Sequence, residues 1–342
     1  MRASATEARE AAVRASLAEQ AGWCERLGSP FTARLCRVLA GTLDRFTPTG
    51  RRALDWPGDP APSKDALALR LCGGLHALAR EGHAPALAGL DEAALAGALR
   101  PLLNRPDLAA WLDLPPQTNE VGRSAVLMAG LMAAAEALDR PLHLLELGAS
   151  AGLNVVLDRY RYELGGAVAG DPGSTLMLRP EWKGPPPPAA PVRIAARRGV
   201  DLLPPPDPAR LLAYIWPDQA ERLARAERAL ALLAADPPPI DQGDAAEWII
   251  MQLAHPPAEG AARVIMHSVA YQYFPPETQR RVKAAIEAAG AREPLAWLRM
   301  EKQPGDERYS LRLRLWPGGE DRLLAWTHPH GNSVSWLEAP AR

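Results

Sequence analysis

Residues 142–154, LHLLELGASAGLN, constrain the fold more than any other stretch of the chain. An apolar run of strand length contains an acid near its end, Glu146. Gly148, Ser150 and Gly152 follow, then Asn154 and a segment of helical pattern. A buried strand turning sharply into a helix needs this arrangement, because glycine accepts unusual dihedrals and lets backbone N–H groups approach a ligand. The spacing is acid, one residue, Gly, three residues, Gly. It differs from GxGxxG, whose third glycine serves close helix packing at a pyrophosphate-binding turn. A fixed acid before the first glycine suits a ligand with a cationic and a hydroxyl-bearing part better than a dinucleotide.

The pattern on either side of this turn differs. Up to about residue 112 apolar residues recur at helical spacing, as in Leu17, Trp23, Leu27, Phe31, Leu35, Val38 and Leu39. Breaks fall at Gly28–Ser29–Pro30 and at 56–63, with Ser63 and Asp91 as candidate N-caps. Val121 to Leu138 reads as an apolar helix leading into the strand at 142–147. Further strands are predicted at Val192–Ala196, Arg263–His267, Pro294–Met300, Tyr309–Trp316 and Leu323–Thr327. Helices are predicted at Asp218–Ala234, Asp244–Leu253 and Pro276–Ala289. Strands alternating with helices predict an α/β fold with a parallel sheet covered on both faces. The last two strands, joined by Pro317–Gly318–Gly319, read as an antiparallel hairpin at the sheet edge. The expected organisation is a helical N-terminal cap over 1–116 and an α/β domain over 117–342, with an insertion at about 161–210.

Composition narrows the partners. The 342 residues suffice for about two domains, and 47% hydrophobic content supports a sizeable core. A formal net charge of −1 provides no field to draw the chain to nucleic acid or an anionic membrane, so a small-molecule substrate is expected. The first twenty residues carry Glu7, Glu10 and Glu19 and lack the apolar core of a signal peptide. No apolar stretch reaches the roughly 20 residues that span a bilayer. Cys24, Cys36 and Cys72 have no CxxC spacing and read as buried reduced thiols, which predicts a cytoplasmic protein. The Pro runs at 185–188, 204–206 and 237–239 read as rigid loop spacers.

The 146–154 turn resembles the first motif of class I S-adenosylmethionine-dependent methyltransferases, with Ser150 where many of them have a middle glycine. The resemblance implies a Rossmann-like sheet and S-adenosylmethionine as cofactor, held by Glu146, Gly148, Ser150, Gly152 and Asn154. It implies a second acid for the ribose hydroxyls. Asp201 in RRGVDLLP and Asp218 in WPDQ are the candidates, with Asp201 slightly favoured because Asp218 equally reads as a helix N-cap. Asp244, in IDQGDAAEWI, stands where the pattern meets the adenine amino group, and it too reads as an N-cap. The resemblance places the strand end at His267–Ser268 near the reacting centre. Tyr271, Tyr273 and Phe274 follow, and aromatic faces suit a sulfonium or adenine.

From about residue 117 onward the chain also resembles the bacterial domain-of-unknown-function family 2332. The stretches that carry this are QTNEVGRSA (117–125), ELGASAGLN (146–154), RRGVDLLP (197–204), WPDQ (216–219), HSVAYQY (267–273), PLAWLRME (294–301), LRLWPGG (313–319) and HPHG (328–331). That family implies no particular reaction.

Several polar residues remain. Asn119, Glu120, Arg123 and Ser124 precede the apolar helix. They read either as a capping arrangement or as groups that close over the first strand and touch the ligand's carboxylate. With Tyr271 and Tyr273, the first three are candidate substrate-binding residues. Asp171, Glu181 and Trp182 lie in the insertion, as an acceptor pocket or a loop covering the sheet. His267 and His330 are the candidate catalytic residues. His328 and His330 flank Pro329, and with His267 they would supply the imidazoles of a metal-assisted hydrolase. No companion carboxylate stands at ligand spacing, so no metal is expected. Three functions therefore stand side by side: a methyltransferase acting on a small molecule, a metal-assisted hydrolase, and a non-catalytic ligand-binding protein.

Overall fold

A computed structural model of the chain describes residues 5–303, 305 and 308–337. The outermost residues of both expected domains, 1–4 and 338–342, lie outside the described residues. Six helices come first: α1 (Ala5–Arg26), α2 (Pro30–Thr42), α3 (Pro48–Leu54), α4 (Leu67–Arg80), α5 (Glu92–Leu102) and α6 (Pro106–Ala110). Then α7 (Arg123–Leu138) leads into β1 (Leu142–Leu147), followed by β2 (Arg161–Leu164), β3 (Ala167–Gly170), β4 (Met177–Leu178), β5 (Glu181–Lys183) and β6 (Ile194–Asp201). The remainder alternates: α8 (Pro208–Ala213), α9 (Ala220–Ala235), β7 (Ile240–Gln242), α10 (Ala245–Ala254), β8 (Ala262–Ser268) and α11 (Pro276–Gly290). It closes with β9 (Leu295–Lys302), β10 (Tyr309–Trp316), β11 (Glu320–Thr327) and β12 (Ser333–Trp336).

The chain forms two compact units. The helical unit comprises Met1–Thr118 and Asp207–Ala224. Its core is built from Leu17, Leu35, Leu39, Leu71, Leu75 and Leu99, and it takes in Trp216 from the returning segment. The residues 207–224, expected in the second domain, thus belong here. Asp218 explains part of this. Its carboxylate accepts the backbone N–H of Phe31 at 2.9 Å and the hydroxyl of Ser29, both at the start of α2. The orphan donors of that helix end are satisfied by a residue far away in sequence. Cys24, Cys36 and Cys72 are buried free thiols in this unit, with the sulfurs of Cys36 and Cys72 3.6 Å apart.

The sheet unit comprises Asn119–Pro206 and Arg225–Arg342. Its nine-stranded sheet runs β5-β12-β11-β10-β9-β8-β1-β6-β7. The five strands β7-β6-β1-β8-β9 are parallel. In sequence they follow the 3-2-1-4-5 order of a doubly wound sheet. The central strands β1 and β8 are buried on both faces, β8 at every residue. Leu145, Leu147, Ile265 and Trp297 pack with Ile249 of α10 and with Val282 and Ile286 of α11 on one face. The other face receives α7, which contacts β9 and β10 and is buried from Arg123 to Ala135. Such a helix is apolar all round because it lies between layers.

Two expectations are corrected. The hairpin of β10 and β11 is antiparallel, but it is not the edge, because β12 pairs with β11 and β5 pairs with β12. More consequentially, no α-helix follows β1. The chain runs through turns and a single 3₁₀ turn at Leu157–Arg159 into β2. The hydroxyls of buried Tyr160 and Tyr162 donate to the carbonyls of Leu153 and Leu157, so tyrosine side chains meet carbonyls that a helix would have paired with amides four residues on. The adjacent β-branched pair Val155–Val156 adds no helix propensity. The insertion that follows forms a small sheet of order β3-β2-β4.

No described helix is long and apolar enough to cross a membrane. Replacing Asp218 by Ala is expected to destabilise the helical unit by about 1 kcal/mol, the typical worth of a cap, as read by denaturant unfolding followed by circular dichroism.

Candidate functional site

The parallel strands leave one topological switch point, between β1 and β8, where the order reverses. Open α/β sheets hold ligands in the crevice beyond the carboxyl ends of the strands at this point. Here the turn after β1 meets the turn after β8. A Cβ built on Gly148, whose φ is +73°, would lie 2.5 Å from Cβ of Ala270. Glycine is required at 148 on both counts, backbone conformation and space.

Glu146 is 1% exposed, in register with Gly199 of β6 and Met266 of β8. Its Oε2 has no hydrogen-bond partner, and the Asn154 side chain hydrogen-bonds to the carboxyl. Burial pushes the carboxyl well above the usual carboxylate range, and the charge of Asp201 pushes the same way. Arg123 and the Asn154 amide oppose the shift.

Behind Glu146 stands a shell of polar groups. The hydroxyl of Ser124 donates to Asn154 Oδ1 at 2.7 Å. The backbone N–H of Leu153 donates to Asn119 Oδ1 at 2.8 Å. The N–H of Gly122 donates to Glu120 Oε1 at 3.0 Å, and Arg225 lies 3.6 Å from the same oxygen. Of the candidate substrate-binding residues at the start of α7, Asn119 meets the glycine turn directly, Glu120 bonds to Gly122, and Arg123 bonds to the carbonyls of Ser268 and Pro329.

Asp201, at the end of β6, accepts the backbone N–H of Ser150 at 2.8 Å and that of Leu203 at 3.2 Å. Of the two candidate ribose acids it stands at the turn, whereas Asp218 caps α2 in the helical unit. Ser150 adopts φ +51°, a left-handed conformation that costs a residue with a side chain about 1–2 kcal/mol. Its buried Oγ has no partner. Gly152 has φ +88° and faces Pro238 and Ile240. Asp244 is the N-cap of α10, accepting the N–H groups of Ala246 and Glu247 at 2.9 and 3.1 Å and the hydroxyl of Thr278 at 3.0 Å.

The second candidate constellation lies at the end of β8. His267 is fully buried, and its Nδ1–H donates to Glu301 Oε1 at 2.7 Å. The backbone N–H groups of Ala270 and Tyr271 converge on the same oxygen, each at 3.1 Å. Tyr271 stacks on the imidazole with centroids 4.9 Å apart. His267 Nε2 and Glu301 Oε2 are buried without partners. Side chains alternate across a strand. His267 therefore shares the face of Trp297, beneath α11, while Glu146 faces α7. Tyr273 is 60% exposed.

Glu301 carried no role in the sequence reading, although an acid ending the apolar run LAWLRME repeats the pattern of Glu146 in LHLLEL. Val269, with φ +51°, was equally invisible. A β-branched residue there marks strain, and the bend precedes the two amides that Glu301 holds.

His330 belongs to the 328–331 turn, which docks on the start of α7. A Cβ on Gly122 would come within 2.3 Å of the His330 carbonyl oxygen. The His328 and His330 rings lie 5.3 Å apart, and the N–H of His330 donates to His328 Nδ1. His267 does not join them in a metal-binding group. Among the described residues no three His, Cys, Asp or Glu side chains are grouped to hold a metal ion.

Comparison with known proteins gives one match. The model of a family described as uncharacterized protein conserved in bacteria (DUF2332) matches residues 14–336. The chain belongs to this family. No curated protein and no solved structure matches it. The match reaches well into the helical unit, beyond the stretches from residue 117 onward in which the likeness was read.

Two outcomes test the site. At low pH Glu146 is protonated in the folded and the unfolded chain alike. As pH rises through the usual carboxylate range the unfolded chain ionises first, so a raised folded pKa subtracts stability as pH increases. Glu146→Gln is therefore expected to gain stability relative to the wild type between about pH 4 and pH 7. A pH-independent difference in melting temperature would refute the assignment. Ser150→Gly removes both the strained conformation and the unpartnered hydroxyl. It is expected to raise the unfolding free energy by up to about 1 kcal/mol in urea titrations.

Proposed function

We propose that the sheet unit binds S-adenosylmethionine at the β1/β8 switch point and that the protein is a methyltransferase-like protein acting on a small molecule. The observation that carries this reading is the buried Glu146. It ends the central strand beside a glycine turn with one carboxyl oxygen unpartnered, and Asp201 stands one strand away. An acid below the turn and an acid beside it suit a ligand with a cationic head and a diol.

The absence of an α-helix after β1 supports the same choice. A pyrophosphate needs the N–H groups and positive dipole of a helix start, and here the turn leads only to a 3₁₀ turn. The positions fit the parts of the cofactor as follows. Glu146 and Asn154 would hold the amino group, the Gly148–Gly152 backbone would meet the amino-acid chain, and Asp201 would take the ribose hydroxyls. Asp244, at the end of β7, lies on the adenine side, with its carboxylate already engaged in capping α10.

When bound, S-adenosylmethionine supplies an electrophilic methyl group on a sulfonium. The chain's own contribution is alignment and removal of one proton from the acceptor. His267, oriented by Glu301, and His330 on the 328–331 turn are the groups for that task. Tyr271 stacks on the His267 ring, and Tyr273 follows it two residues on.

Calorimetry with S-adenosylhomocysteine tests this reading. A stabilisation of about 2.7 kcal/mol is expected when the ligand is present at about 100 times its Kd. Glu146→Ala is expected to remove the binding while leaving the fold intact by circular dichroism. No binding at millimolar ligand would sink the proposal.

A further inference from the structure

Arg123, the first residue of α7, is a buried cation for which the protein supplies no carboxylate. It is 8% exposed. Its Nε–H donates to the carbonyl of Pro329 at 2.9 Å and its Nη1–H to the carbonyl of Ser268 at 3.1 Å. Among the described residues no carboxylate lies within 4.0 Å of its guanidinium. Glu120 and Glu301 act on it only from longer range, and burial lowers its hold on the proton. Interior charges are as a rule paired, since an uncompensated one is costly. A guanidinium has five N–H donors in a rigid fork. Two bonds to carbonyls fix the plane of this one and leave the remaining donors unused. The mount is rigid, because the 328–331 turn packs backbone against backbone on Gly122.

We propose that Arg123 is an anion-binding subsite for the carboxylate of the ligand, and that together with Glu146 it recognises an α-amino-acid head group. Arg123 starts α7, the helix that covers the face Glu146 points to, and its charge acts on the Glu146 carboxyl. Arg123 has carbonyl acceptors but no carboxylate, and the Glu146 oxygen lacks a donor. A zwitterion supplies both at once. A phosphate fits less well: Glu120, Asp201 and Glu301 repel a dianion, and there is no helix start after β1 to offset them. The assignment rests on the S-adenosylmethionine reading for the nucleoside end of the ligand, while the head-group recognition stands independently of it.

Two ligand pairs separate these possibilities. S-adenosylhomocysteine and 5′-methylthioadenosine share the nucleoside thioether, and the second lacks the amino-acid head. L-methionine and 3-(methylthio)propylamine share the amine, and the second lacks the carboxylate. By calorimetry, wild-type protein is expected to bind S-adenosylhomocysteine at least tenfold, about one charge-assisted hydrogen bond, more tightly than 5′-methylthioadenosine. Arg123→Gln is expected to abolish the preference without changing affinity for 5′-methylthioadenosine, and Arg123→Lys to restore part of it. In thermal-shift measurements L-methionine is expected to stabilise the wild type and 3-(methylthio)propylamine not to.

If neither nucleoside binds but L-methionine does, the cofactor reading falls and the head-group site stands. If the wild type does not distinguish L-methionine from the amine, the carboxylate subsite is overturned. Equal weakening of both nucleosides by Arg123→Gln and Arg123→Lys would overturn it as well, by making Arg123 a structural tether only.

Discussion

A carboxyl group at the end of the central strand of a buried parallel sheet has to be answered by its surroundings, and much of this site follows from that requirement. Glu146 is answered on one side by the amide of Asn154, which brings the 148–154 turn back over the strand end. Asn154 is held in turn by Ser124, and the next amide along the turn by Asn119. The polar stretch before α7 therefore does more than begin a helix. It closes the space behind a buried acid, and α7 can then continue as a wholly apolar helix. Arg123 extends the same arrangement to the far side of the switch point by holding the carbonyls of Ser268 and Pro329. The shell leaves one oxygen of Glu146 unsatisfied. An unsatisfied polar atom at a strand end beside a glycine turn costs stability that a merely structural residue would not impose.

The sheet separates two kinds of chemistry. Under α7 the groups are an acid, an amide and a guanidinium, the set to which we assign head-group recognition. On the α11 face His267 and Glu301 form an imidazole–carboxylate pair roofed by Tyr271. The chain passes between the faces through Ser268 and Val269. The left-handed conformation of Val269 turns two amides onto Glu301. Ser150 has the same conformation on the opposite side of the crevice. Strain on both turns at a switch point is what a preorganised crevice requires, since a relaxed turn would leave its donors free to reorient.

Much of the sheet was legible because its strands are long apolar runs whose pairing partners follow from the doubly wound rule. The runs at 142–147, 263–267, 294–300 and 309–316 correspond to β1, β8, β9 and β10. What was not legible depends on distant partners. β5 and β12 are short strands that exist by pairing with each other and with β11. The segment after Asn154 has an apolar pattern compatible with a helix, but the hydroxyls of Tyr160 and Tyr162, further along the chain, bond to its carbonyls. Asp201 and Asp218 illustrate the same limit. Each is an acid at the boundary of an element, and an acid there satisfies backbone N–H groups whether it ends a strand beside a ligand or caps a helix. Only the chain path distinguishes them: one meets Ser150, the other Phe31. Glu301 was readable in principle, as a second acid closing an apolar strand, had the strand-end acid been treated as a repeated feature.

The missing helix bears on the ligand more than any single side chain does. In a dinucleotide-binding turn the affinity for phosphate comes from the helix that follows, through its free N–H groups and dipole. When that helix is replaced by a turn braced with tyrosine hydroxyls, the crevice keeps its glycine-permitted close approach but loses its attraction for anions at that position. The negative charges at its rim then decide what enters. A dianion is repelled by Asp201 and gains nothing from the turn. On the proposed reading a ligand with an ammonium group gains from Glu146, and Arg123, held by two carbonyls, takes its carboxylate. On that reading the local loss of a helix and the placement of one buried arginine favour the same ligand class, although they arise in different parts of the sequence.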